Sequence, residues 1–152
     1  MRDVKQLSVS GIKNGTVIDH IPAKNLFKVI SILGLEKFDS RITFGTNLES
    51  KKLGRKAIIK VAGKTFMDDD VNRIALVAPE AKLNIINNYK VVEKYNVEVP
   101  KEIIGIARCV NPKCITNHEQ ITTRFTVIPG NEIALKCQYC EKITDQEHLN
   151  IK

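Results

Sequence analysis

The chain has 152 residues, is 43% hydrophobic and carries a formal charge of +7. That is enough for one ordinary domain or two small ones, and the composition excludes a disordered or fibrous polymer. Tryptophan is absent, so the predicted core is aliphatic; with neither a secretory leader nor an apolar run of membrane-span length, a soluble cytoplasmic protein is expected.

In chain order, "KQLSVSGI" alternates at Leu7, Val9 and Gly11, as a strand does, and Asn14-Gly15 is a hairpin turn signal leading into a second strand, "TVIDHI". Pro22 suits the first position of a helix, in which Ala23, Leu26, Phe27, Ile30 and Leu33 recur at helical spacing and Gly34 supplies the C-terminal cap. Strands follow in "RITFGTNL" and "KAIIKV", joined by a loop through "ESKKLGRK". Asp68, Asp69 and Asp70 mark a second helix start, since carboxylates complement the dipole there. Val71, Ile74, Ala75 and Ala78 supply its buried stripe, and Pro79 limits its length. "KLNIIN" and "YKVVEKY" return to strand.

After the initial strand the order is β-α-β-β-α-β with an additional terminal strand. This is the split βαβ arrangement of ferredoxin-like domains, an α+β sandwich of two helices over an antiparallel sheet. Pro100, in "NVEVPKE", would interrupt the last strand. The predicted domains are therefore 1–100 and 101–152.

All four cysteines fall in the second part, as Cys109, Cys114, Cys137 and Cys140, with the spacing C-x4-C-x22-C-x2-C. Two short loops that each offer a thiolate pair can close a tetrahedron around one Zn2+. The expectation is a small all-β zinc ribbon of the rubredoxin-like kind, with one structural ion per chain. Two disulfides are the alternative, disfavoured in a reducing compartment. Iron is another, although rubredoxin-like iron loops are usually C-x2-C twice. His118 reads as a solvated loop residue. Four thiolates leave no open position for Lewis-acid chemistry.

The basic excess lies away from these cysteines: the first hundred residues hold 17 Lys and Arg against 11 Asp and Glu, the remainder 7 against 6. A near-neutral ribbon lacks the cationic footprint of a nucleic-acid reader, so neither nucleic acid nor membrane is an expected partner. A Walker loop, a dinucleotide glycine fingerprint and a nucleophile elbow are all missing, which argues against an enzyme. What remains is a set of polar residues inside strands: Asp19, His20, Lys60, Asn84 and Lys94. Singly, each reads as the wet face of a half-exposed sheet. Together, two lysines on neighbouring strands could hold a polyphosphate as point charges, and Asp19 could accept from ribose hydroxyls or a base amine.

The segments "GTVIDHIPA", "RITFGTNL", "GRKAIIK", "INNYKVVEK" and "ALKCQYCEK", with the cysteine spacing, resemble the regulatory chains of aspartate carbamoyltransferase in one register from Leu7 to Lys142. The resemblance implies a non-catalytic subunit with an allosteric nucleotide-binding domain followed by a zinc domain. It implies regulatory-chain homodimers bridging catalytic trimers, six catalytic and six regulatory chains in all, under feedback control by CTP, ATP and UTP in pyrimidine biosynthesis. Carried over by residue, the nucleotide site would comprise Val9, Ile12, Asp19, His20, Lys60, Asn84, Ile86, Tyr89, Val91 and Lys94. Lys60 and Lys94 would meet phosphate and ribose, and backbone groups of Ile12 and Tyr89 would meet the base. Asn111 and Glu141 would contact the catalytic chain. The sequence departs from the family pattern at Ser10 and Gly11, beside the base, and at Lys113 in the interface loop, which bears on effector preference and on docking.

Overall fold

A computed structural model describes residues 11–130 and 132–151. They divide into two compact units, the first ending at Val97 and the second starting at Glu98. Among the described residues no helix is long and apolar enough to cross a membrane.

The described residues of the first unit form a five-stranded antiparallel sheet with two α-helices. Its strands are β1 (Gly15–Pro22), β2 (Ile42–Ser50), β3 (Gly54–Ala62), β4 (Lys82–Asn87) and β5 (Lys90–Asn96), in the spatial order β2-β3-β1-β4-β5. The first four have the ferredoxin-like order and β5 is added beside β4. Helix α1 (Leu26–Ile32) lies between β1 and β2, and α2 (Asp68–Val77) between β3 and β4. Period-two alternation sends Ile18, Ile59, Val61 and Leu83 to a fully buried face under the helices. The other face stays open.

Local chemistry sets the joints. Gly15 sits at φ +143° where an added Cβ would lie 2.1 Å from the Val61 carbonyl oxygen, so only glycine fits. Gly34, at φ +63°, ends the first helical region in the left-handed conformation, as expected of a cap. The buried Asn25 amide donates to the Val77 carbonyl (2.8 Å), tying the start of α1 to an otherwise orphaned carbonyl at the end of α2. Asp70 accepts from the Met67 N–H at the start of α2.

Several expectations shift. Residues 5–10 of the initial strand, with Val9 and Ser10, lie outside the described residues, and Gly11–Asn14 are irregular chain. Ala23–Asn25 form a 3-10 turn before α1 begins. The buried stripe of α1 is Leu26 and Val29, continued by Leu33 just past its end. Phe27 instead points outward, 68% exposed, and meets Phe44 edge to face at 5.9 Å. The β2–β3 loop shrinks to 51–53 because both strands extend into it.

The second unit is small and all β. Strands β6 (Glu102–Ile104), β8 (Arg124–Ile128), β9 (Ala134–Cys137) and β10 (Ile143–Asp145) form an antiparallel sheet in the order β10-β9-β8-β6. A short ladder joins β7 (Ala107–Arg108) to β11 (Asn150–Ile151). Phe125 faces Ile103 on one side and Cys137 on the other, so the aliphatic core runs directly into the cysteine cluster.

Candidate functional site

The open face of the first sheet gathers the polar strand residues into one register. Lys60 on β3 opposes Val17 on β1, Val17 opposes Asn84 on β4, and Asn84 opposes Lys94 on β5. Directly paired residues project to the same face, so two lysines flank an amide along a single row. Adjacent rows continue the surface: Gly15, Ile86 and Val91 on one side, Asp19, Lys82 and Asn96 on the other.

Two hollows meet on this face and share Asn84. One, of about 300 Å³, is lined by Ile12, Val17, Lys60, Ile86, Tyr89 and Val91 among others, and is mostly apolar. The other, of about 400 Å³, is lined by Asp19, His20, Lys82, Asn84, Lys94 and Asn96 and is polar. Nine of the ten residues singled out in the sequence thus border one or other hollow; Val9 lies outside the described residues.

A β-bulge produces the polar end. The register of β1 slips between Ile18 and Ile21, with His20 held at φ +60° and its N–H donating to Asp19 Oδ1 (2.7 Å). Such bulges re-aim side chains. Lys56 on β3 reaches across to Asp19, at 3.1 Å from Oδ1 and 3.3 Å from Oδ2. His20 Nδ1 lies 3.5 Å from Asp19 Oδ2, yet it is buried without a hydrogen bond. Burial lowers its pKa; Asp19 pulls the other way, while Lys56, Lys82 and Lys52 add to the lowering. Burial likewise lowers the pKa of Lys60. Both groups sit where an arriving anion would restore what desolvation removed.

At the apolar end, Asn88 and Tyr89 both have positive φ in the two-residue β4–β5 turn, the conformation of a type I′ hairpin. A tyrosine there is unusual, since glycine is the common choice at that position. The turn is pinned by the Tyr89 N–H donating to the Lys13 carbonyl (2.9 Å) and the Asn88 N–H donating to Asn14 Oδ1 (3.0 Å). Two cations of the open face, Lys56 and Lys82, were not singled out in the sequence. Period-two spacing from Lys60 and Asn84 would have placed both on the open face.

The second unit brings the four cysteines together. All four Sγ atoms lie within 4.8 Å of one another, with Cys109–Cys140 at 3.6 Å and Cys114–Cys137 at 3.8 Å. A tetrahedron with metal–sulfur bonds of ~2.3 Å requires sulfur separations of about 3.8 Å, so the donor set fits one tetrahedral ion. Burial pushes the Cys109 thiol up to about 12. Burial also pulls Cys140 upward, but hydrogen bonds led by the Asn111 side chain outweigh it and bring the thiol down to about 6. A cation at the centre would hold all four as thiolates.

The loops are built to hold this geometry. The Asn117 amide donates to the Cys109 and Asn111 carbonyls (2.9 and 2.8 Å), closing the first loop. In the second, the Glu141 N–H donates to the Cys137 carbonyl (2.9 Å) and the Cys137 N–H to the Lys142 carbonyl (3.0 Å), with Glu141 at φ +63°. His118 is exposed and outside the cluster. Val110, Ile115, Tyr139 and Ile143 stand exposed in or beside these loops, near Asn111 and Glu141 in sequence. The same unit has a polar cleft of about 470 Å³ bordered by Arg108, Asn117, Glu119 and Thr122 among others.

Comparison with known families matches both units. Residues 7–98 fit the aspartate carbamoyltransferase regulatory chain, allosteric domain, and residues 101–150 fit the metal binding domain of the same chain. The chain belongs to the aspartate carbamoyltransferase regulatory chain family. The regulatory chain of Phocaeicola vulgatus is 55% identical over 99% of this chain and 98% of its own length. That of Bacteroides fragilis is 54% identical over 99% of each. The Pyrococcus horikoshii regulatory chain is 55% identical across 95% of this chain and 96% of its own. As a member of this family the protein is a non-catalytic subunit with an allosteric and a metal-binding domain.

Proposed function

We propose that the chain senses nucleotides on the open face of its first unit and controls aspartate carbamoyltransferase catalytic chains docked through its second. The observation that carries this reading is the row Lys60–Val17–Asn84–Lys94, set between an apolar and a cationic hollow. The apolar hollow suits a base, with Ile12, Ile86 and Val91 against its faces. Since the Tyr89 N–H is already engaged, Tyr89 offers a base amine its carbonyl. Lys60 and Lys94 take ribose and phosphate, and Asn84 donates to a phosphate oxygen. The effectors are CTP, ATP and UTP, competing for one site. Opposing effects then require only opposing preferences for two states of the assembly.

The four cysteines hold Zn2+ as a structural ion, one per chain. Bound there, Zn2+ supplies folding free energy, and its closed shell leaves no coordination position for catalysis. The cysteine loops present Asn111 and Glu141 to the catalytic chain, beside exposed apolar side chains that docking would cover. The assembly comprises six catalytic and six regulatory chains, with regulatory homodimers bridging trimers, in control of pyrimidine biosynthesis. The test is to co-express the chain with its own catalytic partner, then measure particle mass and aspartate saturation with and without CTP, ATP and UTP. A dodecamer whose saturation curve moves with nucleotide supports the proposal. A chain that neither joins the catalytic trimer nor binds nucleotide overturns it.

A further inference from the structure

The open face of the sheet holds more positive charge than a single pair of lysines provides. Lys56, Lys60, Lys82 and Lys94 all occupy the open face of the sheet, with Asp19 among them. Lys56 is committed to that carboxylate. Among the described residues, Lys82 and Lys94 form no ion pair.

Lys82 opens β4 and opposes Asp19 on β1 and Asn96 on β5. It therefore lies one same-face step, about 7 Å, beyond the Asn84–Lys94 row. The apolar hollow lies the other way, at the Ile86–Val91 row. Along the strands the open face thus runs from an apolar end, through a first cationic row, to a second one at Lys82. A ligand whose base fills the apolar end meets Lys94 with its first phosphates and Lys82 only with its last. The orphaned His20 Nδ1 lies at this far end. Lys82 and His20 line the same hollow, and Lys82 is among the cations that lower the pKa of His20.

We propose that Lys82 is a specificity-determining residue that selects triphosphates over monophosphates by meeting the terminal phosphate. The proposal rests on the nucleotide reading of this face and adds to it a residue and a rule for counting phosphates. Lys82 is an exposed side chain at the start of its strand, so replacing it leaves the fold intact.

Calorimetry of the whole chain with CTP and with CMP, for wild type, Lys82→Gln and Lys82→Arg, tests this. Lys82→Gln is expected to weaken CTP by about fivefold, the scale of one solvent-facing charge pair, and to change CMP by less than about twofold. Lys82→Arg should restore the CTP-to-CMP ratio. The salt dependence of CTP binding should flatten in Lys82→Gln and stay unchanged for CMP. An equal loss for both ligands, or no loss for either, overturns the role of Lys82 while leaving the nucleotide site standing. Wild-type chain that binds neither ligand overturns the site itself and the proposal with it.

Discussion

Removing the metal should unfold the second unit and leave the first folded. The second unit spans Glu98–Lys152, 55 residues, and a domain of that size buries too little surface to be comfortably stable. At the usual 0.05–0.15 kcal/mol per residue its net stability would be about 3–8 kcal/mol. A structural Zn2+ site is worth roughly 10–16 kcal/mol, so the ion outweighs everything else the unit can retain. Its loss also leaves thiols crowded at 3.6–3.8 Å and opens the end of a core built on Phe125 and Leu135. The assay is chelation with dye-monitored metal release, followed by amide hydrogen exchange read strand by strand. Protection should collapse across β6 to β10 and persist in β1, β3 and β4. Full protection of β8 and β9 after verified metal loss would refute the reasoning, as would an intact catalytic–regulatory assembly in the stripped protein.

The other perturbations act on the first unit. Lys60→Ala and Lys94→Ala should each weaken CTP by roughly tenfold to a hundredfold, the cost of removing one charge-assisted partner, while particle mass is unchanged; calorimetry with light scattering reads both. Burial lowers the pKa of His20, with Lys56, Lys82 and Lys52 adding to the lowering and Asp19 opposing it. Phosphate binding favours its protonated form, so nucleotide binding should take up a proton, and affinity should rise as pH falls toward 6 more steeply in wild type than in His20→Gln. Comparing the two cancels the titration of the nucleotide's own phosphate, and parallel pH profiles would remove His20 from the linkage. Gly15→Ala places a Cβ 2.1 Å from the Val61 carbonyl oxygen and should cost ~3 kcal/mol, the upper range for overpacking, seen as a lower urea midpoint.

How much of this was legible depended on whether the deciding physics was local. "KLNIIN" is β4 residue for residue because the alternation from Lys82 to Ile85 and the flanking turns specify it. The cysteine quartet was legible from spacing, since metal geometry demands two short loops whatever joins them. Phe27 was misplaced because helical periodicity alone cannot say which edge of the stripe meets the sheet. Leu26, Val29 and Leu33 take the core, and Phe27 finds Phe44 outside it. The setting of Asp19 and His20 depends on a register slip between β1 and β3, a property of two strands that neither one encodes alone. Tyr89 in a left-handed turn was equally invisible, because a two-residue loop with positive φ would have been read from Asn-Gly. Lys82 stands at the first position of β4, where a lysine is also the ordinary residue of a solvated strand end. Period-two spacing from Asn84 puts it on the same face, and the pairing of β4 with β1 and β5 shows which residues share that face with it.

Control by nucleotide carries a reciprocal obligation. If CTP on the first unit changes the affinity of catalytic chains for a substrate analogue by some factor, that analogue must change CTP affinity by the same factor. Couplings of this kind run to about 1–3 kcal/mol, a shift of roughly five- to 150-fold, well within the reach of calorimetry on the assembled particle. The regulatory chain alone lacks the second ligand's site, so its CTP affinity should ignore the analogue entirely. In the assembly, saturating the catalytic chains should displace the CTP isotherm, weakening it where CTP inhibits and tightening it where CTP activates. The metal-stripped protein separates the two halves of the device. Its first unit, resting on its own core of Ile18, Ile59 and Leu83, should still bind CTP with the affinity of the free chain. An unmoved CTP isotherm on a fully occupied, intact particle would mean that nucleotide binding is uncoupled from the catalytic chains, and the sensing role would fall even with both sites in place.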